Sequence, residues 1–199
     1  MGLSIHYSGS FNPNASLQEM INETVDIAKT YQWSYHIFET QFAEISFNTK
    51  HDDKLYGVCF SPPKCEPVCF TFLSTGKLCG LIAFSAFGKS TKPEEIAMLK
   101  GVSTKTQFAG PDAHILVIQV LRYISKKYLL DFSVIDEGEY WETGDEKILL
   151  ETFSRYNQML DMVYYGIKHF EKKQEETIED YFKRLMDHIQ KKREEGEGK

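Results

Sequence analysis

The sequence predicts an α+β fold: a mixed β-sheet packed against helices, followed by a helical extension at the C-terminus. Near the N-terminus, strand and helix patterns alternate, which is typical of a βαβ unit. Further along, three successive strand patterns are separated by turn residues, which is typical of an antiparallel meander. A chain of 199 residues is long enough to form one substantial hydrophobic core. We expect a single domain over 1–172. A charged helix and a disordered tail are expected over 173–199.

The N-terminal unit begins with a strand over residues 3–11, where apolar side chains alternate with polar ones. A capping box from Ser16 to Glu19 then predicts a helix over 16–32, because serine and glutamate satisfy backbone N–H groups of the first turn. A second strand follows at 34–38. The two strands are expected to be parallel and joined by a right-handed crossover.

Residues 55–84 form the predicted meander. If the first loop is centred on Lys64, the register places Cys59 directly opposite Cys69. A turn at Thr75-Gly76 predicts a third strand over residues 78–84.

Two glycines and four cysteines lie within this meander. Gly57 and Gly80 fall in one transverse row, which predicts a shallow notch that suits a packed helix better than a ligand. The cysteines contain no C-x-x-C pair, so we expect free thiols and neither a zinc site nor disulfides. They are Cys59, Cys65, Cys69 and Cys79.

The lysine-containing segment 85–109 is the least regular part of the chain, with a short helix predicted near 94–100. The sequence around Gly88-Lys89-Ser90 approaches a phosphate-binding loop. Ala83 stands where the first glycine of that loop belongs, and Pro93 falls within the helix that would surround the phosphates. Nucleotide binding is therefore not predicted.

The central helix is predicted over 111–128, where apolar residues recur at helical spacing after Gly110-Pro111. A short apolar strand at 132–135 leads into the acidic loop, residues 136–146. This loop contains six carboxylates in eleven residues, interrupted by Tyr140 and Trp141. Such a loop, at the end of a buried strand, is the leading functional candidate.

Two functions are compatible with the acidic loop. In the first, the chain is a binding protein whose loop presents an anionic, aromatic surface to a basic partner; its residues would be Tyr140, Trp141, Glu142 and Asp145. In the second, the chain is a small hydrolase or divalent-metal enzyme; its site would be His114, Asp136, Glu137 and Glu139. The sequence lacks a nucleophile elbow, a metal triad and a complete phosphate loop, which favours binding. No cofactor or resident metal is predicted.

Net charge and hydropathy limit the classes of partner that we expect. A net charge of −6 and an isoelectric point near 5.6 give no overall attraction for nucleic acid or anionic membranes. No apolar run approaches the roughly 20 residues of a membrane span, and no secretory leader is recognisable. We therefore expect a cytoplasmic protein that binds neither nucleic acid nor membrane.

The C-terminal part carries two apolar stripes. Between residues 149 and 170, apolar side chains recur at alternating spacings of four and three residues, as in a coiled-coil seam. A second apolar stripe occupies 178–189, in a charged segment that Thr177 is expected to cap. The second stripe cannot form a core alone. Either it folds back on its own domain, or it pairs with a second copy to give a homodimer, which is the hypothesis we favour.

Overall fold

The computed structural model describes residues 2–42, 51–171, 173 and 176–196, and it confirms the α+β class. The strands are β1 (Ser4–Phe11), β2 (Ser34–Ile37), β3 (Tyr56–Ser61), β4 (Val68–Phe72), β5 (Val102–Lys105) and β6 (Leu129–Asp136). The helices are α1 (Leu17–Thr30), α2 (Leu81–Phe87), α3 (Pro93–Ala97), α4 (Pro111–Tyr128), α5 (Tyr140–Thr143), α6 (Glu146–His169) and α7 (Ile178–Gly196).

The named strands form two three-stranded sheets with antiparallel pairing, in the orders β5-β1-β6 and β2-β3-β4. The predicted parallel pairing of the first two strands is therefore wrong, as is the single mixed sheet. Strand β1 lies between β5 and β6, and β2 pairs with β3. Local periodicity identifies a strand but not its partner, and here each N-terminal strand pairs with strands later in the chain.

The register predicted between β3 and β4 is confirmed. Cys59 lies opposite Cys69, and all four thiols are free. Gly57 has φ +113°, and a Cβ at this position would lie 2.1 Å from the carbonyl oxygen of Phe70. This backbone approach requires glycine.

Only the start of the third strand predicted over 78–84 forms, where Leu78 makes an antiparallel bridge to Phe72 of β4. The rest of that prediction is wrong, because helix α2 begins directly after Gly80. The apolar run from Leu81 to Phe84 is short enough to suit either a strand or a helix. Helical spacing lets α2 pack four partly buried side chains against a small separate core. The core residues are Leu55, Leu73, Cys79 and Leu99, and the α2 residues are Leu81, Ala83, Phe84 and Phe87.

Helices α1 and α4 follow their sequence signals closely. The Ser16 side chain accepts a hydrogen bond from the Glu19 N–H at 3.2 Å, as the capping box predicts. Helix α4 begins at Pro111 and buries a stripe that includes Val117, Leu121 and Ile124. In the segment predicted to be irregular, α3 begins at Pro93 and overlaps the short helix predicted near 94–100. Strand β5, at Val102–Lys105, was not predicted.

The chain forms two compact units, Met1–Leu150 and Glu151–Lys199. In the second unit, Leu185 is fully buried and packs so closely on Gly166 that a Cβ there would lie 2.6 Å from it. The Thr177 hydroxyl accepts from the Asp180 N–H, which confirms the predicted cap of α7. Helix α7 reaches Gly196, so the predicted disordered tail begins as helix, and 197–199 lie outside the described residues. The predicted boundary at residue 172 stays a prediction.

No helix within the described ranges is both long and apolar enough to cross a membrane.

Candidate functional site

The acidic loop has a defined backbone. It leaves strand β6 at Asp136, which is paired with Ile5 of β1. Glu139 then adopts a left-handed conformation with φ 59°, α5 forms one short helical segment, and Gly144 ends it with φ 64°. A non-glycine residue in this conformation costs about 1 kcal/mol or more, so the surrounding contacts must hold it.

Asp136 is the internal anchor of this loop. Its carboxylate accepts hydrogen bonds from the backbone N–H groups of Gly138 at 2.8 Å and Trp141 at 2.9 Å. The Nε2–H of His114 donates to the same carboxylate, at 3.0 Å from Oδ1 and 3.2 Å from Oδ2. On the other side of the imidazole, Nδ1 shares a hydrogen bond of 2.8 Å with the Thr106 hydroxyl. Both side chains of the His114–Asp136 pair are 0% exposed.

The environment keeps Asp136 ionised. Burial on its own would raise the pKa of this carboxyl group. The hydrogen bond and charge of His114, with the two backbone N–H groups, outweigh burial and hold the pKa below its ordinary value. The loop is therefore organised around a carboxylate in the protein interior.

Glu137 points the other way, toward strand β1. Its Oε2 accepts from the Ser4 N–H at 2.7 Å, and its Oε1 lies 3.6 Å from Nε2 of His6. The side chains of Glu137 and His6 are 36% and 44% exposed. This carboxylate therefore ties the start of the loop to β1 and does not join the buried pair.

Arg122 of helix α4 holds the aromatic part of the loop. Its guanidinium donates to the carbonyl oxygens of Trp141 at 2.6 Å and Tyr140 at 3.2 Å, and lies 5.3 Å from the centre of the Trp141 ring. The Trp141 ring also meets Phe132 edge-on. Tyr140 is buried, so it offers little surface to a partner, whereas Trp141 is half-buried.

The remaining acidic residues face solvent. Glu139, Glu142, Asp145 and Glu146 are all exposed. The sequence Thr143-Gly144-Asp145-Glu146 has the pattern of a capping box, but Thr143 belongs to α5 and Asp145 accepts from the Lys147 N–H at 2.8 Å. Gly144 ends α5 before α6 starts, so the cap falls two residues later. The exposed carboxylates form an anionic rim beside Trp141.

Sequence reasoning did not identify Arg122 as part of this site. It donates to residues 18 and 19 positions away in sequence. Helical spacing carries no information about such a contact. Thr106 was also missed, because it lies in the irregular segment, where no periodic pattern exists.

A second concave surface borders this site at His6, whose Nε2 lies 3.6 Å from the Glu137 carboxylate. A cleft of about 750 Å³ covers the outer face of the β5-β1-β6 sheet, and none of the residues predicted for the site lines it. The polar residues of its floor are His6, Ser8, Ser103 and Ser133. Sequence alternation on β1 did place His6 on the face opposite Ile5 and Tyr7, and this was the available signal.

Comparison with known proteins identifies no relative: no protein-family model, curated protein or solved structure matches this chain. Among the residues that the structure describes, no group of three or more His, Cys, Asp or Glu side chains is arranged to hold a metal ion.

Proposed function

We propose that this chain is a binding protein that recognises a basic partner through the acidic loop, residues 136–146. The observation that carries the proposal is that one carboxylate of the loop is buried whereas others are exposed. Asp136 is buried and fixes the backbone from inside, whereas Glu139, Glu142 and Asp145 remain exposed. A surface fixed before binding loses less conformational entropy when a partner arrives.

Trp141 supports the same function. Its half-buried ring is held by Arg122 and Phe132, so one part is anchored and the rest is available beside the anionic rim. Tryptophan and flanking charges are a common combination at binding hot spots. Exposed carboxylates would guide a cationic partner toward the ring.

The enzyme alternative, with His114, Asp136, Glu137 and Glu139 as its site, has less support. A general base must reach a proton of its substrate, but the His114 and Asp136 side chains have no exposed surface. Glu137 is engaged by the Ser4 N–H. These positions favour a structural role for the buried pair and a binding role for the exposed carboxylates.

The test uses a labelled peptide of alternating arginine and alanine as the basic probe. A triple variant, Glu139→Gln, Glu142→Gln and Asp145→Asn, should bind it roughly tenfold more weakly, since three exposed ion pairs contribute about 1–2 kcal/mol. Wild-type binding should also weaken as salt is raised. Trp141→Ala should reduce binding further.

The matched control is Asp53→Asn, Glu94→Gln and Glu151→Gln, which removes the same charge from exposed positions elsewhere. If this control weakens peptide binding as much as the loop variant, only net charge is being measured and the proposal fails. If wild type does not bind the peptide at low salt, the proposal fails directly.

We also propose that the chain forms a homodimer through its C-terminal helices. Helix α7 exposes an apolar row at four-residue spacing: Ile178 is 66%, Phe182 46% and Met186 39% exposed. On α6, Ile167 is 49% exposed. A second copy could bury these side chains about a two-fold axis.

Sedimentation over a range of concentrations tests the dimer. Phe182→Glu should convert a wild-type dimer to a monomer, whereas Lys183→Glu, on the neighbouring residue of α7, should leave it dimeric. The fold-back alternative predicts a monomeric wild type and a less stable Phe182→Glu variant.

A cytoplasmic location is part of the proposal. Cys59 and Cys69 are direct cross-strand neighbours with free thiols, an arrangement suited to a reducing compartment. Burial raises the pKa of the Cys69 and Cys79 thiols to about 12, which keeps them unreactive. Fractionation of cells that express the chain tests the location.

A further inference from the structure

The outer face of the β5-β1-β6 sheet is a second surface, which meets the acidic loop where His6 lies 3.6 Å from the Glu137 carboxylate. Strand pairing sets its geometry: His6 of β1 lies between Ser103 of β5 and Ile135 of β6. In the next row, Ser8 lies opposite Ser133. The side chains of these strands alternate, so His6 and Ser8 share the face opposite the buried Ile5 and Tyr7.

The floor of the cleft is rich in hydrogen-bond donors. The hydroxyl groups of Ser8, Ser103 and Ser133 can each donate a hydrogen bond. Hydroxyl groups also accept hydrogen bonds, so the floor alone does not select the charge of a ligand. The charged groups that line the cleft do select it.

Two lysines and a glutamate line the cleft, and their bonding differs. The Glu66 carboxylate accepts from the backbone N–H of Lys105 at 2.9 Å. Within the described part of the chain, neither Lys100 nor Lys105 has its ammonium group within ion-pair distance of a carboxylate. The anionic group is thus engaged by the protein, whereas the two ammonium groups are available to a ligand.

The remaining wall is apolar and open. Ile82 of α2 is 83% exposed, Met98 beside α3 is 64% exposed and Ile135 of β6 is 69% exposed. All three line the same cleft. Large apolar side chains grouped at a concave surface are typical of a ligand-binding site.

We propose that this cleft binds a small amphipathic anion, with a carboxylate or phosphate head and an apolar chain or ring. The head would contact Lys100 and the serine hydroxyl groups, and the apolar part would cover Ile82, Met98 and Ile135. The volume of about 750 Å³ is within the range of small-molecule sites. The proposal uses different residues from the acidic loop and does not depend on it.

The test compares four soluble probes with one eight-carbon chain: octanoate, octyl phosphate, octanol and octyltrimethylammonium. Calorimetry should detect binding of the two anions, and each should bind at least about tenfold more tightly than octanol or the cation. Equal binding of all four probes, or no binding of either anion, would overturn the proposal.

Two variant pairs locate the site. Ile82→Asp should weaken binding of octyl phosphate about tenfold or more, whereas Leu130→Asp, an exposed apolar residue outside the cleft, should not. Lys100→Glu should weaken it severalfold, whereas Lys77→Glu, at another exposed lysine, should not. Equal losses within either pair would place the probe elsewhere and overturn the assignment.

The head group could come from a free molecule or from a lipid, and vesicles separate the two. We expect octyl phosphate to bind in solution and phosphatidylcholine vesicles containing phosphatidic acid not to retain the protein. Retention on these vesicles without binding of soluble octyl phosphate would overturn the proposal of a free ligand.

Discussion

The two sheets of this protein differ in which of their residues are buried. In the β2-β3-β4 sheet, every residue of β4 and all but the last residue of β3 are buried. In the β5-β1-β6 sheet, one face is buried, whereas the other exposes Ser8, Ser103 and Ser133. The acidic loop also leaves this sheet, at the end of β6. Strands β3 and β4 therefore provide core, although all of β2 is exposed, and the β5-β1-β6 sheet carries both candidate binding surfaces.

The largest expected effect is a loss of stability caused by a substitution in strand β3. Gly57→Ala should lower the free energy of unfolding by about 3 kcal/mol or more, because φ +113° strains an alanine and its Cβ would lie 2.1 Å from the Phe70 oxygen. Gly80→Ala is the matched control. A Cβ there has no neighbour closer than 3.7 Å and φ is −77°, so a cost of at most about 1 kcal/mol is expected.

Urea denaturation of both variants measures the difference. Similar losses for Gly57→Ala and Gly80→Ala would show that the close approach at Gly57 is not required. The sequence places these two glycines in one notch, and the structure gives them different roles. A Cβ at Gly57 would overlap the neighbouring strand, whereas Gly80 precedes a helix and has room for a Cβ.

The sequence predicts contacts that are local, and this explains what was and was not foreseen. The register of β3 and β4 follows from one loop, and the bounds of α4 follow from Gly110-Pro111 and one apolar stripe. The partners of β1 lie about a hundred residues away, in β5 and β6. Pairings at that distance depend on how whole elements pack, which no local pattern records.

The candidate site, like the fold, was predicted only in part from the sequence. The sequence identified His114 and the acidic loop as candidates and suggested that a histidine could act with a carboxylate. It did not indicate that the His114–Asp136 pair would be fully buried, nor that Arg122 would hold Trp141. Both results depend on how α4 packs against the loop. The outer-face cleft was missed because it is assembled from three strands and α2.

The second prediction concerns the buried pair of His114 on α4 and Asp136 at the end of β6. Asp136→Asn should lower the free energy of unfolding by about 2–4 kcal/mol at neutral pH, because it removes the charge that His114 and two N–H groups stabilise. Amide hydrogen exchange at Gly138 and Trp141 should accelerate. Glu139→Gln, at an exposed position in the same loop, should change stability by less than about 0.5 kcal/mol.

The pH dependence of this effect has a definite sign. Because the pKa of Asp136 is lower in the folded protein, its stabilisation is present above the unfolded pKa of about 3.9 and is lost as pH falls through the folded value. The stability difference between wild type and Asp136→Asn should therefore shrink as the pH is lowered below about 4. A difference that is constant from neutral to acidic pH would contradict the ionised state of Asp136.

The smallest expected effect concerns Arg122, which joins the acidic loop to α4 at the surface. Arg122→Lys keeps the charge but loses the planar group that donates to two carbonyl oxygens and lies over the Trp141 ring. We expect a loss of about 1 kcal/mol in unfolding free energy, with a shift of the Trp141 indole N–H resonance. Lys126→Ala, at an exposed position on the same helix, should leave that resonance unchanged. If Arg122→Lys weakens binding of the basic peptide while the free energy of unfolding falls by only about 1 kcal/mol, the orientation of Trp141 contributes to recognition. Unchanged binding would restrict recognition to the exposed carboxylates.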